Sequence, residues 1–284
     1  LADWRRANVS NFVHTISTTI KASKPWVQFG ISPFGVWRNK SVDPKGSETE
    51  SGQTNYDDLF ADPLAWMENK WIDYLVPQLY WSINHPKASY SKLLRWWSEN
   101  SKNTAIYIGN GTYKINTDSD KRWNNPNEIP DQIDITRTYK NIQGNAFFSA
   151  KSFLNRNQKV TQLLVENQYK YPALPWVVPN FVKKVIAIPT VNTLVKNELS
   201  SSFNVNYPLN SQVRYIMVYA AQFSTKVDVN DPSQIMDKIA FNEKNEAVAV
   251  VIPNQKLDQN NSCAITFIDF YGNESEATIV NFSL

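Results

Sequence analysis

The sequence predicts an α/β unit built on a parallel sheet, followed by an all-β sandwich. Three observations carry that reading. All 10 Trp fall between Trp4 and Trp176, and none follows. Before Pro179-Asn180, segments with helical spacing alternate with short apolar runs; after it, Val/Ile/Phe-rich runs sit between clusters of Asn, Ser, Pro and Asp. A chain of 284 residues, 42% of them hydrophobic, is ample for two cores. The Pro-rich connector Tyr171 to Pro179 disfavours both helix and central strand.

A helix opens the chain. Asp3 is its expected N-cap, Val9, Phe12, Val13, Ile16 and Ile20 share one face, and Pro25 ends it. Strands are expected at Trp26 to Ser32, Ile72 to Trp81, Ala105 to Asn110 and Ala146 to Ala150. Helices fall between them, at about Pro63 to Lys70, along the stripe Tyr90, Leu93, Leu94 and Trp97, and at about Pro130 to Asn141. A last helix carries Val160, Leu163, Leu164 and Tyr171. Strands alternating with helices imply a parallel sheet with right-handed crossovers. An open sheet and half of a β/α barrel both fit. Strands of the second compartment are expected at Val185 to Ile188, Ser202 to Tyr207, Val213 to Ala221, Ala247 to Ile252, Ala264 to Phe270 and Ala277 to Phe282. Short strands at such spacing read as a β-sandwich.

Composition excludes several classes. A net charge of +3 from 29 basic and 26 acidic residues is no footprint for nucleic acid. One Cys and two His make no disulfide framework and no metal centre, and no loop cradles a phosphate or dinucleotide, so no cofactor is expected. No apolar run is long enough to span a membrane. His14 reads as a surface or structural residue of the first helix, and Cys263 as a buried small hydrophobe.

In parallel α/β sheets, function sits at the strand C-termini and the loops after them. Here those ends mix aromatic rings with amides, hydroxyls and cations. Trp37, Arg38, Gln78, Tyr80, Trp81, Asn110, Tyr113 and Lys151 are the candidate binding residues. Flat rings suit the C–H faces of a sugar, and amides and cations suit its hydroxyls. Each ring could equally be core, most of all Trp66, Trp71, Trp96 and Trp97 on helices or at a strand start. Hydrolysis of a glycoside usually needs two carboxylates. None of the four strands ends in one. Asp73 lies at the wrong end, and Asp43, Glu48, Glu50, Asp57 and Asp58 share the long loop after the first strand, which also reads as a solvated surface loop.

Several stretches resemble the glycosyl hydrolase-like 10 family. They are Asp3 to Val9, Lys24 to Asn39, Trp71 to Trp81, Tyr107 to Lys114 and Phe148 to Lys151, together spanning about residues 1–170. Phe270-Tyr-Gly-Asn-Glu-Ser275 is similar to a fibronectin type III module. The resemblance implies that 1–180 is the C-terminal half of a (β/α)8 TIM barrel and 181–284 an immunoglobulin/fibronectin III-like sandwich. It implies hydrolysis of O-glycosyl bonds in a bacterial cell-wall or other polysaccharide. The family's N-terminal half-barrel carries an Asp-rich strand end, so the acids would lie in a half this chain lacks, leaving the fragment alone inactive with no nucleophile assigned. A non-catalytic carbohydrate-binding or structural module is the competing reading. Half a barrel has raw sheet edges, so pairing with itself or with the missing half is expected. The expected location is secreted, periplasmic or on the cell surface.

Overall fold

The computed structural model describes residues 1–154, 157–174, 177, 186–206, 212–221, 225–240 and 247–282. They form two units, Leu1–Lys170 and Tyr171–Leu284. The expected boundary at Pro179-Asn180, Trp176 and the strand start at Val185 lie outside the described residues.

The first unit opens with α1, Ala2–Ser23. Its N-cap is Leu1, with no side-chain cap; Asp3 sits inside the first turn and pairs with Arg6. Val13 and Ser17 are the buried residues of α1, whereas Phe12 is 67% exposed despite its place in the apolar spacing. Four parallel strands follow in spatial order β1-β2-β3-β4: Gly30–Ile31, Tyr74–Leu75, Ala105–Asn110 and Ile142–Phe147. The first two are shorter than their apolar runs: the front of the first is taken by a turn closed by the Val27 N–H on the Lys24 carbonyl at 2.9 Å, and β2 stops before Pro77, which cannot donate to a ladder. Proline carbonyls still accept: Pro33 from the Gln78 N–H at 3.0 Å and Pro77 from the Gly109 N–H at 2.9 Å. The sheet thus continues as single bridges, Phe34 to Gln78 and Gln78 to Gly109. β4 starts four residues earlier than expected, its apolar signal diluted by Gln143 and Asn145.

Helices α2 (Pro63–Glu68), α3 (Tyr90–Glu99), α4 (Glu128–Arg137), α5 (Lys151–Leu154) and α6 (Gln158–Glu166) complete the unit. Tyr171 lies beyond α6. α2 and α3 begin where Asp62 and Ser89 accept hydrogen bonds from N–H groups of the first turn. Leu75, Leu79, Ile106 and Ile108 pack with Trp66, Met67, Leu93, Leu94 and Trp97 in one core. Each such side chain, fully buried, contributes about 2 kcal/mol of transfer free energy. The alternate strand residues Tyr74, Val76, Gln78 and Tyr107 remain half-buried.

The second unit has two antiparallel sheets. β5 (Thr190–Lys196), β6 (Ser200–Asn206) and β9 (Ala247–Pro253) form one, in order β5-β6-β9. β7 (Val213–Tyr219), β8 (Ile235–Ala240), β10 (Ser262–Asp269) and β11 (Thr278–Asn281) form the other, in order β11-β10-β7-β8. β5 and β8 fall where no strand was expected, because their exposed residues break the apolar run. Phe203, Val205, Val250 and Ile252 meet Ile216, Val218, Cys263, Ile265 and Phe267 in a shared core. The other face of β10 is buried too, under Val227 and Val229. The turn from β10 to β11 is set by buried Asp269, which accepts from the N–H groups of Tyr271 and Asn273 at 2.8 Å. Gly272 there has φ +82°, a conformation that favours glycine.

Candidate functional site

The C-terminal ends of β2, β3 and β4 bring three aromatic rings together. Tyr80 lies 5.9 Å from Tyr113, edge to face, and 6.2 Å from Phe148, stacked; Tyr113 and Phe148 are 5.9 Å apart. Backbone bonds hold the loops that carry them: the Tyr113 N–H donates to the Phe148 carbonyl at 3.2 Å, and the Phe148 N–H to that of Asn110 at 3.0 Å. The Phe148–Ser149 peptide is cis. Gly111 permits this packing, since a Cβ there would stand 3.0 Å from the Tyr80 side chain. Tyr113 is 47% exposed and Phe148 59%, so two of the three rings offer faces to solvent. Burial raises the Tyr80 phenol above its ordinary pKa, keeping it a neutral donor.

The other candidates divide. Gln78 is half-buried at the same edge, and its amide donates to the carbonyl and hydroxyl of Ser32 at 3.1 and 3.3 Å. Trp81 is half-buried and packs edge-on against Phe34 at 5.4 Å. Lys151 is exposed at the start of α5. Trp37 is interior: it is 6% exposed, lies between Tyr56 and Trp96, and donates to Asp62 at 3.2 Å. Arg38 spends its guanidinium on Asp57 (2.9 and 2.8 Å) and Asp43 (2.9 Å), so it organises the long loop. Asn110 is fully buried and donates to Gln132 at 2.8 Å. Trp37 and Asn110 are buried in the wall, and Arg38, partly exposed, is held by its two carboxylates.

Beneath the edge lies a buried polar frame. Glu128, 6% exposed, accepts from the Ile83 N–H at 2.7 Å and from Gln132 at 3.0 Å. Gln132 also donates to the Trp81 carbonyl at 3.2 Å, and Asn145 donates to Asn110 at 2.8 Å. One helix, α4, thereby ties the ends of β2, β3 and β4. Burial raises the Glu128 pKa, against the lowering effect of its hydrogen bonds. Sequence reasoning missed Glu128, Gln132 and Phe148. A signal existed for the first two: Glu128, Gln132 and Thr136 recur at i, i+4 beside Ile129 and Ile133, a polar row on a buried stripe.

The acids near the edge are engaged. Asp120 accepts from the Ser82 hydroxyl at 2.5 Å and from Arg122 at 3.0 Å. Asp118 pairs with Lys114 at 2.8 Å; burial would raise its pKa, but the ammonium and a backbone N–H outweigh it and hold it low. His85 accepts the Ala88 N–H at Nδ1, and burial lowers its pKa, so the ring is neutral near pH 7 with its proton on Nε2. In the long loop, Asp58 accepts from Thr54, and Glu48 pairs with Lys40 and Lys92. Among the described residues, no group of three or more His, Cys, Asp or Glu is placed to hold a metal ion. Nor is any described helix long and apolar enough to cross a membrane. The edge therefore offers ring faces and amides without a free pair of carboxylates among the described residues.

Residues 1–125 match the glycosyl hydrolase-like 10 family. The first unit is glycosyl hydrolase-like. The chain is 41% identical to the glycosyl hydrolase YngK of Bacillus subtilis over 226 residues, 77% of this chain and 43% of that protein. It is 39% identical to the glycosyl hydrolase DigH of Escherichia coli K12 over 164 residues, 55% of this chain and 37% of that protein. The chain thus spans less than half the length of these curated relatives. The spore cortex lytic enzyme SleM of Clostridium perfringens aligns over 73% of this chain and 67% of its own, at 11% identity and a TM-score of 0.25, too low to bear on the fold.

Proposed function

We propose that the first unit supplies part of the carbohydrate-binding cleft of a glycoside hydrolase acting on a bacterial cell-wall or other polysaccharide. The observation that carries this is the ring cluster Tyr80, Tyr113 and Phe148 at the strand C-termini, with Tyr113 and Phe148 exposed and with Tyr80 and Tyr113 inside the segment that matches the glycosyl hydrolase-like 10 family. Gln78, Trp81 and Lys151, on the segments that leave the same strand ends, are further contacts for the glycan. The catalytic carboxylates come from outside these 284 residues, a reading supported by the engaged acids at this edge and by the length of the relatives. The four parallel strands in sequential order, with one face half-buried, support half of a (β/α)8 barrel that pairs with a further half or with itself. The second unit takes strands one, two and five into one sheet and three, four, six and seven into the other, an arrangement that supports a fibronectin III-like accessory module. Such a protein works at the bacterial envelope or outside the cell.

The test is a protein extended to the length of its relatives, incubated with purified cell-wall glycan and with plant polysaccharides. New reducing ends are expected with at least one. Cleavage of none, alongside oligosaccharide binding, favours the second reading: a glycan-binding module without hydrolysis. The engaged carboxylates are what favour that alternative.

A further inference from the structure

A second depression lies away from the strand ends, between the long loop after β1 and the outer face of α3. Its volume is about 320 Å³. The loop is a rigid wall: the Lys40 N–H donates to the Ser47 carbonyl at 2.8 Å, and the Trp96 indole donates to the Lys45 carbonyl at 2.9 Å. Four cations line it, Lys40, Lys45, Lys92 and Arg95, against two carboxylates, Glu48 and Glu99. Glu99 is taken by Arg95 at 2.8 Å. Glu48 stands between Lys40 at 3.3 Å and Lys92 at 3.8 Å. Those two ammonium groups, with Arg95 beyond them, hold its carboxyl below the ordinary range. Glu48 thus occupies the place an external oxyanion would take.

We propose that this depression is a second binding site, one that takes the oxyanions of an acidic polysaccharide. The cations sit on long side chains around an open cleft, which suits single charges spaced along a chain. Trp96 is the one aromatic lining it and is 8% exposed, so nucleobases would have nothing to stack on. The oxyanion is a carboxylate or a phosphodiester carried on saturated sugar units. The glycan part of this assignment rests on the reading of the strand-end site; the charge selectivity does not.

The test is calorimetric titration of the 284-residue chain at low ionic strength with polygalacturonate and, separately, with a glycan carrying phosphodiesters. Dextran, poly-glutamate and oligothymidylate serve as comparisons. Saturable binding of at least one acidic glycan is expected, and which one binds identifies the oxyanion. Lys92→Glu should weaken it about tenfold, and Glu48→Gln should tighten it about threefold by removing the internal competitor. Lys40→Glu should act as Lys92→Glu does, and circular dichroism should report both as folded, since both side chains are exposed. Lys92→Glu should leave the response to neutral oligosaccharides at the strand ends unchanged. No saturable binding of either acidic glycan, no effect of the two reversals, or equal affinity for dextran would overturn the site. Equal affinity for poly-glutamate or oligothymidylate would overturn the glycan assignment. A flat neutral-sugar response with intact acidic-glycan binding would sink the strand-end reading and leave this one standing.

Discussion

The two units bury polar groups for different ends. In the sandwich, Asp258 and Asp269 are buried and bond chiefly to backbone N–H groups: Asp258 to Asn260 and Ser262, Asp269 to Tyr271 and Asn273. Each fixes the turn in which it sits, and Asp258 also accepts the distant Val227 N–H at 3.3 Å. In the parallel-sheet unit, Glu128, Gln132 and Asn110 reach across elements and lock three strand ends under an exposed ring cluster. A turn needs one acceptor to satisfy local donors. A strand edge that must present side chains in fixed orientation needs a frame beneath it. In the parallel-sheet unit the buried polar groups that span elements underlie the exposed ring cluster.

Substitutions break this comparison in order of size. Glu128→Ala strands the Ile83 N–H and part of Gln132, so a loss of about 3 kcal/mol is expected in urea unfolding, with oligosaccharide binding weakened as well. Glu128→Gln keeps an acceptor and should lose far less. Asp269→Ala removes the side-chain acceptor of the Tyr271 and Asn273 N–H groups, for a loss of about 2 kcal/mol with no change in sugar binding. If Asp269→Ala weakens binding as much as Glu128→Ala does, the contrast between the units is wrong. Tyr113→Ala removes a half-exposed ring; binding should fall about tenfold, with a stability loss of about 1 kcal/mol from its contacts with Tyr80 and Phe148. The smallest effect is on pH dependence. Burial raises the Glu128 pKa, so the folded state holds this proton more tightly than the unfolded chain. Stability from this group is present at acid pH and declines as pH rises from the ordinary glutamate range through the folded value. Glu128→Gln should flatten that part of the stability-pH profile, and an unchanged slope would show that Glu128 is not its source.

Much of this organisation was legible in the residues, for identifiable reasons. The stripe Tyr90, Leu93, Leu94 and Trp97 predicts α3, because a helix on a sheet must bury one face. β3 matches its apolar run from end to end, since it lies between β2 and β4. β1 and β2 do not, because apolar content reports neither the turn at Lys24 to Val27 nor the donor that Pro77 lacks. Tyr80, Tyr113 and Gln78 stand at the sheet edge that their place at strand ends implies. Trp37 and Asn110 shared that place yet point inward, and strand-end position alone does not encode direction. Phe148 was passed over because a Phe reads as core until its exposure is known.

Titration of the 284-residue chain with chitohexaose and xylohexaose, followed by Trp fluorescence, tests the central claim most directly. Trp81, half-buried and packed on Phe34 at the same edge, is the reporter. A saturable change is expected with at least one sugar, abolished in Tyr113→Ala/Phe148→Ala and reduced in amplitude by Trp81→Phe. A flat response to both, or a response that survives unchanged in the double variant, would contradict it.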